Sequence, residues 1–223
     1  MTSSRWHAHG NVYVVADGEY DLEPGDDGAI EIVRVDTDEV EIVIVNPDGS
    51  RAEMSGNGTR IAGAWLMART GDESARVRVG DRVVAVRRVR ALYESDLGEV
   101  TVGEREQIAG FEVMPVSVGN PHAVVVGDPD DIAQVGPLLE THPRFPDRTN
   151  VQVVRVDRPG EVTARVWERG VGETSASGSS AVAVAAATHG DGDVLVHFPG
   201  GDLRVRLEDG RATLIGPAEP LEM

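Results

Sequence analysis

Glu173-Thr174-Ser175-Ala176-Ser177-Gly178-Ser179-Ser180 runs directly into Ala181-Val182-Ala183-Val184-Ala185-Ala186-Ala187. An earlier stretch has the same design: Glu53-Met54-Ser55-Gly56-Asn57-Gly58-Thr59-Arg60, followed by Ile61-Ala62-Gly63-Ala64-Trp65-Leu66-Met67-Ala68. Each is a glycine-flanked polar turn feeding a run of small apolar residues, the composition of a buried helix. A side chain at the start of such a helix meets unpaired backbone N–H groups and the positive end of the helix dipole. That setting binds anions and lowers the pKa of an acidic group. Ser55 and Ser177 are therefore candidate functional residues, with simple N-capping as the structural alternative.

Away from these two turns the chain is rich in strands. Val12–Val15, Ile30–Val35 and Val40–Val45 are β-branched runs, and Asn46-Pro47-Asp48-Gly49-Ser50 is a strong turn signal. Short alternating strands are expected over Ala75–Val100, Met114–Val118, Ala123–Val126, Val151–Val156, Val162–Trp167, Val194–His197, Leu203–Leu207 and Ala212–Leu214. Helices are expected at about residues 57–70, at Asp130–Thr141 and at 178–188.

The chain also repeats itself. Ser55-Gly56 and Ser177-Gly178 lie 122 positions apart, and the same offset sets Asn46 against Glu168. Gly10-Asn11 ahead of Val14-Val15 resembles Gly119-Asn120 ahead of Val124-Val125. The expected fold is α/β in the mixed α+β sense, with two similar halves, each a strand-rich sheet around one central helix. The division falls between Glu99 and Phe111, giving halves 1–105 (shortened) and 106–223, with the last strands returning to the first half. Such a pair would bring two helix starts to one cleft, where ligands usually bind.

Composition narrows the function. The net charge of -17 argues against nucleic acid or an anionic membrane as partner. All 21 basic residues are arginine, which fits coding bias with an acidic solvated surface, or salt adaptation. With no cysteine, disulfides, thiolate metal sites and thiol catalysis are excluded. No stretch has the length of a membrane span and the N-terminus lacks a signal-peptide core, so the expected location is cytoplasmic. A homodimer is the default expectation for such an enzyme.

Two polar groups facing each other suit a reaction that needs a base and an acid on opposite faces of a carbon, such as proton abstraction beside a carboxylate. Helix-start N–H groups would hold the carboxylate and stabilise the carbanion. Glu168 and His122 are the titratable groups placed to tune the pair. Plainer readings exist for each. Asn11, Asn46, Asn120 and Asn150 suit turns, Glu168-Arg169 suits a surface ion pair, and His122 suits a structural histidine. His7, His9 and His197 show no metal-ligand spacing, and Gly170-Val171-Gly172 is a weak phosphate-loop signal without the lysine of a P-loop.

Taken together these motifs resemble diaminopimelate epimerase, a cofactor-independent amino-acid epimerase family of lysine and cell-wall biosynthesis. The resemblance covers His7-Ala8-His9-Gly10-Asn11, Asn46–Ser50 with Gly56–Arg60, Val118–His122, Gly136–Glu140 through Arg148-Thr149-Asn150-Val151, Glu168–Thr174 and Ile215–Ala218. It implies two α/β halves related by a pseudo-two-fold and a small amino-acid substrate. It implies substrate contacts at Asn11, Asn46, Asn120, Asn150, Glu168 and Arg169. Backbone contacts to the carboxylate would come from Gly56, Asn57, Gly58, Gly178 and Ser179. His122 and Glu168 match positions that adjust the acid and base, no cofactor or metal is involved, and the catalytic positions fall on Ser55 and Ser177.

The family carries a cysteine at each of those two positions. A helix terminus moves a thiol into the working range, but it offers a serine hydroxyl only about 1–2 kcal/mol against about 1.4 kcal/mol per pKa unit. The dipole alone therefore cannot make serine a ready base at neutral pH. Val12 also replaces the family's usual acidic residue, and Ser180 stands where glycine is common. Gly28 takes the place of a glutamine that touches substrate in some members. Between Val15 and Ile30 the chain is too short for the helix usual there. Two further readings fit these departures: a non-catalytic amino-acid-binding relative, or an isomerase or dehydratase of the same fold with Glu53, Glu168 or Glu173 as base.

Overall fold

The computed structural model describes residues 3–9 and 11–221. Gly10 of the opening turn lies outside the described residues. Two compact units divide the chain, Met1–Leu97 with Ile215–Met223, and Gly98–Leu214. Each is a strand-rich, mixed sheet packed on one central helix, so the fold is the α+β type expected.

In the first unit, β1 (Ser3–Ala8) pairs antiparallel with β2 (Asn11–Ala16), which runs parallel to β3 (Gly28–Val35). β3 pairs antiparallel with β4 (Glu39–Val45), whose alternating Val and Ile residues bury one face, as a half-buried strand requires. The short β5 (Arg51–Ala52) folds back on β4 and leads into α1 (Gly56–Thr70). β4 also runs parallel to β6 (Ser74–Val79), followed antiparallel by β7 (Arg82–Val89) and β8 (Leu92–Glu99). The two-residue strand Glu219–Pro220 closes on β1.

α1 is buried from Gly56 to Met67, in keeping with its small apolar composition. Its small residues allow close approach: a Cβ on Gly63 would lie 2.6 Å from the Val86 Cβ of β7. The helix ends at Gly71, whose left-handed φ of 81° lets its N–H close on the Met67 carbonyl.

The second unit repeats the plan. After β9 (Thr101–Val102) and β10 (Glu106–Ile108) come β11 (Phe111–Ser117) and β12 (Pro121–Val126), an antiparallel pair. β12 runs parallel to β13 (Asn150–Arg158), which pairs antiparallel with β14 (Glu161–Glu168). The short β15 (Gly172–Thr174) folds back on β14 and leads into α3 (Gly178–Thr188). β14 runs parallel to β16 (Gly192–Phe198), which pairs antiparallel with β17 (Gly201–Glu208); β18 (Arg211–Gly216) follows. The sequence of antiparallel and parallel pairings from β1 to β7 recurs from β11 to β17, and α1 and α3 occupy the same place in it.

The halves differ in one crossover. Between β12 and β13 the chain makes a 3₁₀ turn, Pro129–Asp131, and α2 (Ile132–Glu140). Ile132, Val135 and Leu139 pack with Phe145, Val151, Val153 and Trp167, and Gly136 lets the helix lie on Trp167. The expected helix over 130–141 is thus an α-helix from Ile132. The counterpart in the first unit, residues 17–27, has no helix, as its length required. There Tyr20 and Leu22 cover Val14, Ala16 and Ala29, and the Tyr20 hydroxyl donates to Glu31 at 2.9 Å. Val126, expected in a buried strand, is 61% exposed at the end of β12.

Candidate functional site

The residues singled out in the sequence cluster at the start of the central helix of each unit. At α1, Ser55 is the N-cap in extended conformation, with φ −139° and ψ 120°. Its Oγ accepts from the Gly58 N–H at 3.0 Å, and the Tyr13 hydroxyl lies 3.4 Å from the same oxygen. The remaining N–H groups of the first turn have no intrahelical acceptor, by the geometry of a helix start.

Asn57, in that turn, donates to the Asn11 Oδ1 of β2 at 2.6 Å and accepts from Arg60 at 2.7 Å. The Arg60 guanidinium is fully buried and donates also to the Pro217 carbonyl at 2.9 Å. Burial pulls its pKa down to about 9. The network continues to Asp27, which accepts from the Val12 N–H at 2.7 Å and bonds the Asn11 side chain. Burial raises the Asp27 pKa against the lowering effect of those hydrogen bonds. A carboxylate thus stands beside Asn11 although Val12 carries none.

At α3 the same scaffold holds different side chains. Ser177 is the buried N-cap, extended at φ −147° and ψ 128°, and makes no side-chain cap bond to its helix. Asn120 donates to the Ser179 Oγ at 3.4 Å, the equivalent of the Asn11–Asn57 contact, and accepts from His122 Nε2 at 3.0 Å. The Gln152 amide donates to His122 Nδ1 at 3.0 Å and to the Ser180 Oγ at 2.9 Å. With Nδ1 accepting, the imidazole carries its proton on Nε2 and gives it to Asn120. Burial lowers the His122 pKa to about 3, helped by the positive charge of Arg169 and opposed by the Gln152 bond. His122 is therefore a neutral imidazole at ordinary pH.

Around it, the Asn150 Oδ1 accepts from the Arg169 N–H and its amide donates to the Pro121 carbonyl, both at 3.0 Å. Glu168 accepts from the Thr174 hydroxyl at 2.6 Å. The buried Glu140 fixes the loop after Glu168: it accepts from Gly170 N–H and Trp167 Nε1, each at 2.8 Å, and pairs with Arg148.

The structure gathers Asn11, Asn57 and Ser55 at the start of α1. It gathers Asn120, His122, Ser177, Gly178 and Ser179 at the start of α3, with Asn150 at the start of β13, Glu168 at the end of β14 and Arg169 in the turn that follows. Asn46 ends β4 in a turn, its amide donating to the Ser50 Oγ at 3.0 Å. Of the alternative bases, Glu173 is exposed and ion-paired with Arg165, and Glu53 is exposed. Tyr13, Asp27, Glu140 and Gln152 were not singled out by sequence reasoning. Among the described residues no group of three or more His, Asp or Glu is placed to hold a metal ion, and no helix is long and apolar enough to cross a membrane.

The family model described as diaminopimelate epimerase matches residues 114–219. The diaminopimelate epimerase of Desulforudis audaxviator is 36% identical over 272 residues, covering 98% of this chain and 96% of the relative. That of Desulfitobacterium hafniense is 37% identical over 229 residues, covering 87% and 80%. Among solved structures, a hydroxyproline epimerase from Agrobacterium vitis with bound trans-4-hydroxy-L-proline has a TM-score of 0.77 at 15% identity, covering 98% of this chain and 88% of that one. A PhzF-family phenazine biosynthesis protein from Bacillus anthracis has a TM-score of 0.72 at 11% identity, covering 99% and 96%. At those identities the structural matches speak for the fold, while the sequence relatives, aligned along nearly the whole chain, place it by descent: the chain belongs to the diaminopimelate epimerase family.

Proposed function

We propose that this chain epimerises LL-diaminopimelate to meso-diaminopimelate without a cofactor, as a cytoplasmic enzyme. The helix-start N–H groups of Gly56 and Asn57 in the first unit, and of Gly178 and Ser179 in the second, are the groups assigned to the substrate carboxylate. Ser55 and Ser177 stand at the positions of the acid and base, and Asn11, Asn46, Asn120, Asn150, Glu168 and Arg169 supply the remaining substrate contacts. His122, neutral and hydrogen-bonded, and Glu168 tune the α3 side. The observation that carries the reading is the duplicated helix start: in each unit an N-cap serine precedes a buried helix, and an asparagine at or just before the start of a neighbouring strand bonds a side chain of its first turn. Oriented N–H groups of this kind stabilise a carboxylate as negative charge spreads onto it from the α-carbon.

Serine lacks the acidity of a thiol, so turnover by the chain as it stands is expected to be slow. The test is diaminopimelate epimerisation by the protein and by its Ser55→Cys/Ser177→Cys form. A gain of at least tenfold in the double variant is expected. Absence of both binding and epimerisation in the two proteins refutes the proposal.

A further inference from the structure

Repeat geometry singles out one residue that the serine-for-cysteine exchange leaves in a new position of importance. The offset of 109 positions that sets Asn11 on Asn120 also sets Tyr13 on His122. Strand pairing gives the same equivalence: Tyr13 is opposite Gly28 in the parallel β2–β3 ladder, and His122 is opposite Asn150 in β12–β13. The offset of 122 that relates the two serines relates Gly28 to Asn150 as well. Tyr13 is thus the first unit's counterpart of the imidazole beside α3.

Its surroundings give the phenol a direct route to the α1 start. A Cβ on Gly28 would meet the Tyr13 Cε1 at 3.4 Å and the Val45 carbonyl oxygen at 2.3 Å, so a side chain is excluded where the Tyr13 ring packs. The ring is buried, 9% exposed, and its hydroxyl reaches to 3.4 Å from the Ser55 Oγ. That is a long contact of the sort that tightens when a ligand fills a site. A phenol is a far stronger acid than an alcohol, so of the two hydroxyls in this contact the Tyr13 phenol is the one able to exchange a proton as an ionisable group.

We propose that Tyr13 is the proton-relay partner of Ser55 and supplies the ionisable group on the α1 side of the reaction. This rests on the epimerase reading above. In the abstraction direction, the Cα–H bond of the amino acid breaks and its proton passes to the Ser55 Oγ. The hydroxyl proton of Ser55 moves to the Tyr13 phenolate oxygen, and the Cα–H electron pair stays on the α-carbon, conjugated with the carboxylate. The phenol exchanges its proton with water, and the reverse transfer returns a solvent hydrogen to the α-carbon. No oxidation or reduction occurs and no further reactant is needed.

On the elements that meet Tyr13, the ionisable groups closest in sequence to its contacts include Asp27, which precedes its partner Gly28, and Arg60, five residues after Ser55 on α1. Trp6 and Gly28, opposite Tyr13 on β1 and β3, are uncharged, while Arg5 and His7 pair with Val14 and Val12 on the alternate face.

The experiment follows α-proton exchange of meso-diaminopimelate in deuterated water from pH 7 to 10.5, with ligand binding read by thermal shift. The proteins are the natural chain, Tyr13→Phe, the control Tyr93→Phe, and the chain carrying 3-fluorotyrosine at position 13. Exchange by the natural chain is expected to rise about tenfold per pH unit towards the phenol pKa. Tyr13→Phe is expected to bind but to lose at least tenfold of the exchange at pH 9.5, and Tyr93→Phe to keep it. The fluorinated side chain, a stronger acid, is expected to move the profile to lower pH and so reports on Tyr13 even if Tyr13→Phe folds poorly. An unchanged profile in Tyr13→Phe or in the fluorinated chain overturns the relay, as does binding by the natural chain with no exchange at any pH. Absence of binding overturns the relay together with the epimerase reading.

Discussion

His122 makes the stability of the second unit depend on pH in a direction fixed by its burial. In the unfolded chain the imidazole titrates near about 6.5, whereas in the fold its pKa is lowered to about 3. Below the unfolded value, the unfolded state takes up a proton that the folded state refuses, so stability is complete above that value and falls as pH falls. At pH 5 the protonated unfolded form is favoured by roughly 30-fold, a loss of about 2 kcal/mol relative to pH 7.5. The loss grows further until the folded imidazole itself titrates. His197 has the opposite sign: Asp202 and, less strongly, Glu161 raise its pKa against the opposing effect of burial. It adds stability at low pH that is lost as pH rises through its folded value. Urea denaturation of the natural chain and of His122→Gln at pH 7.5, 6 and 5 separates the two, because His197 and the carboxylates are common to both. The natural chain is expected to lose about 2 kcal/mol more than the variant between pH 7.5 and 5. Equal losses, or an NMR titration of His122 near 6.5, would refute a buried neutral imidazole.

Two substitutions test how the helices and the site loop are held. Gly63→Ala is expected to cost about 1–3 kcal/mol by chemical denaturation, because the new methyl would sit 2.6 Å from the Val86 Cβ and overpacking outweighs the gain in helix propensity. Glu140→Gln is expected to cost a similar amount, about 1–3 kcal/mol, and to speed amide exchange at Gly170, since it weakens the acceptor for Arg148, Trp167 and the Gly170 N–H together.

The strands and both central helices were legible because their residues are locally consistent. Val40–Val45 alternates and is β-branched, and the small-residue runs after Ser55 and Ser177 permit burial on all sides of a helix. The repeat was legible through the two serines, since the offset of 122 holds from β13 through the start of α3. The short strands β5, β9, β10 and β15 were not, because two or three residues carry no periodicity; only pairing to a neighbour defines them. Tyr13 was missed for a different reason. Its significance lies in equivalence to His122, and that equivalence follows from the second offset of 109, which in sequence shows only as the Gly10-Asn11 match, because Tyr and His share no residue identity. Glu140 and Gln152 gave no local signal: one sits in a helix and one in a strand, and each acquires its role from partners distant in sequence.

The two offsets also explain how the first unit loses a helix without losing its helix-start residues. They differ because the chain from Tyr13 to Gly28 is thirteen residues shorter than the chain from His122 to Asn150. The shortening falls between Tyr13 and Gly28, almost entirely in residues 17–27, after β2 has placed Asn11 and Tyr13. In the second unit that crossover carries α2, whose Ile132, Val135 and Leu139 cover β13 and β14 and whose terminal Glu140 anchors the loop after β14. The first unit replaces the apolar cover with Tyr20 and Leu22, and β4 leads directly into the Asn46–Ser50 turn, where Asn46 bonds Ser50 and Gly49 bonds Asn46. The trimmed half therefore gives up outer packing and a loop anchor, while the paired starts of β2 and β3 and the start of α1 keep the register that joins Asn11 to Asn57 and Tyr13 to Ser55.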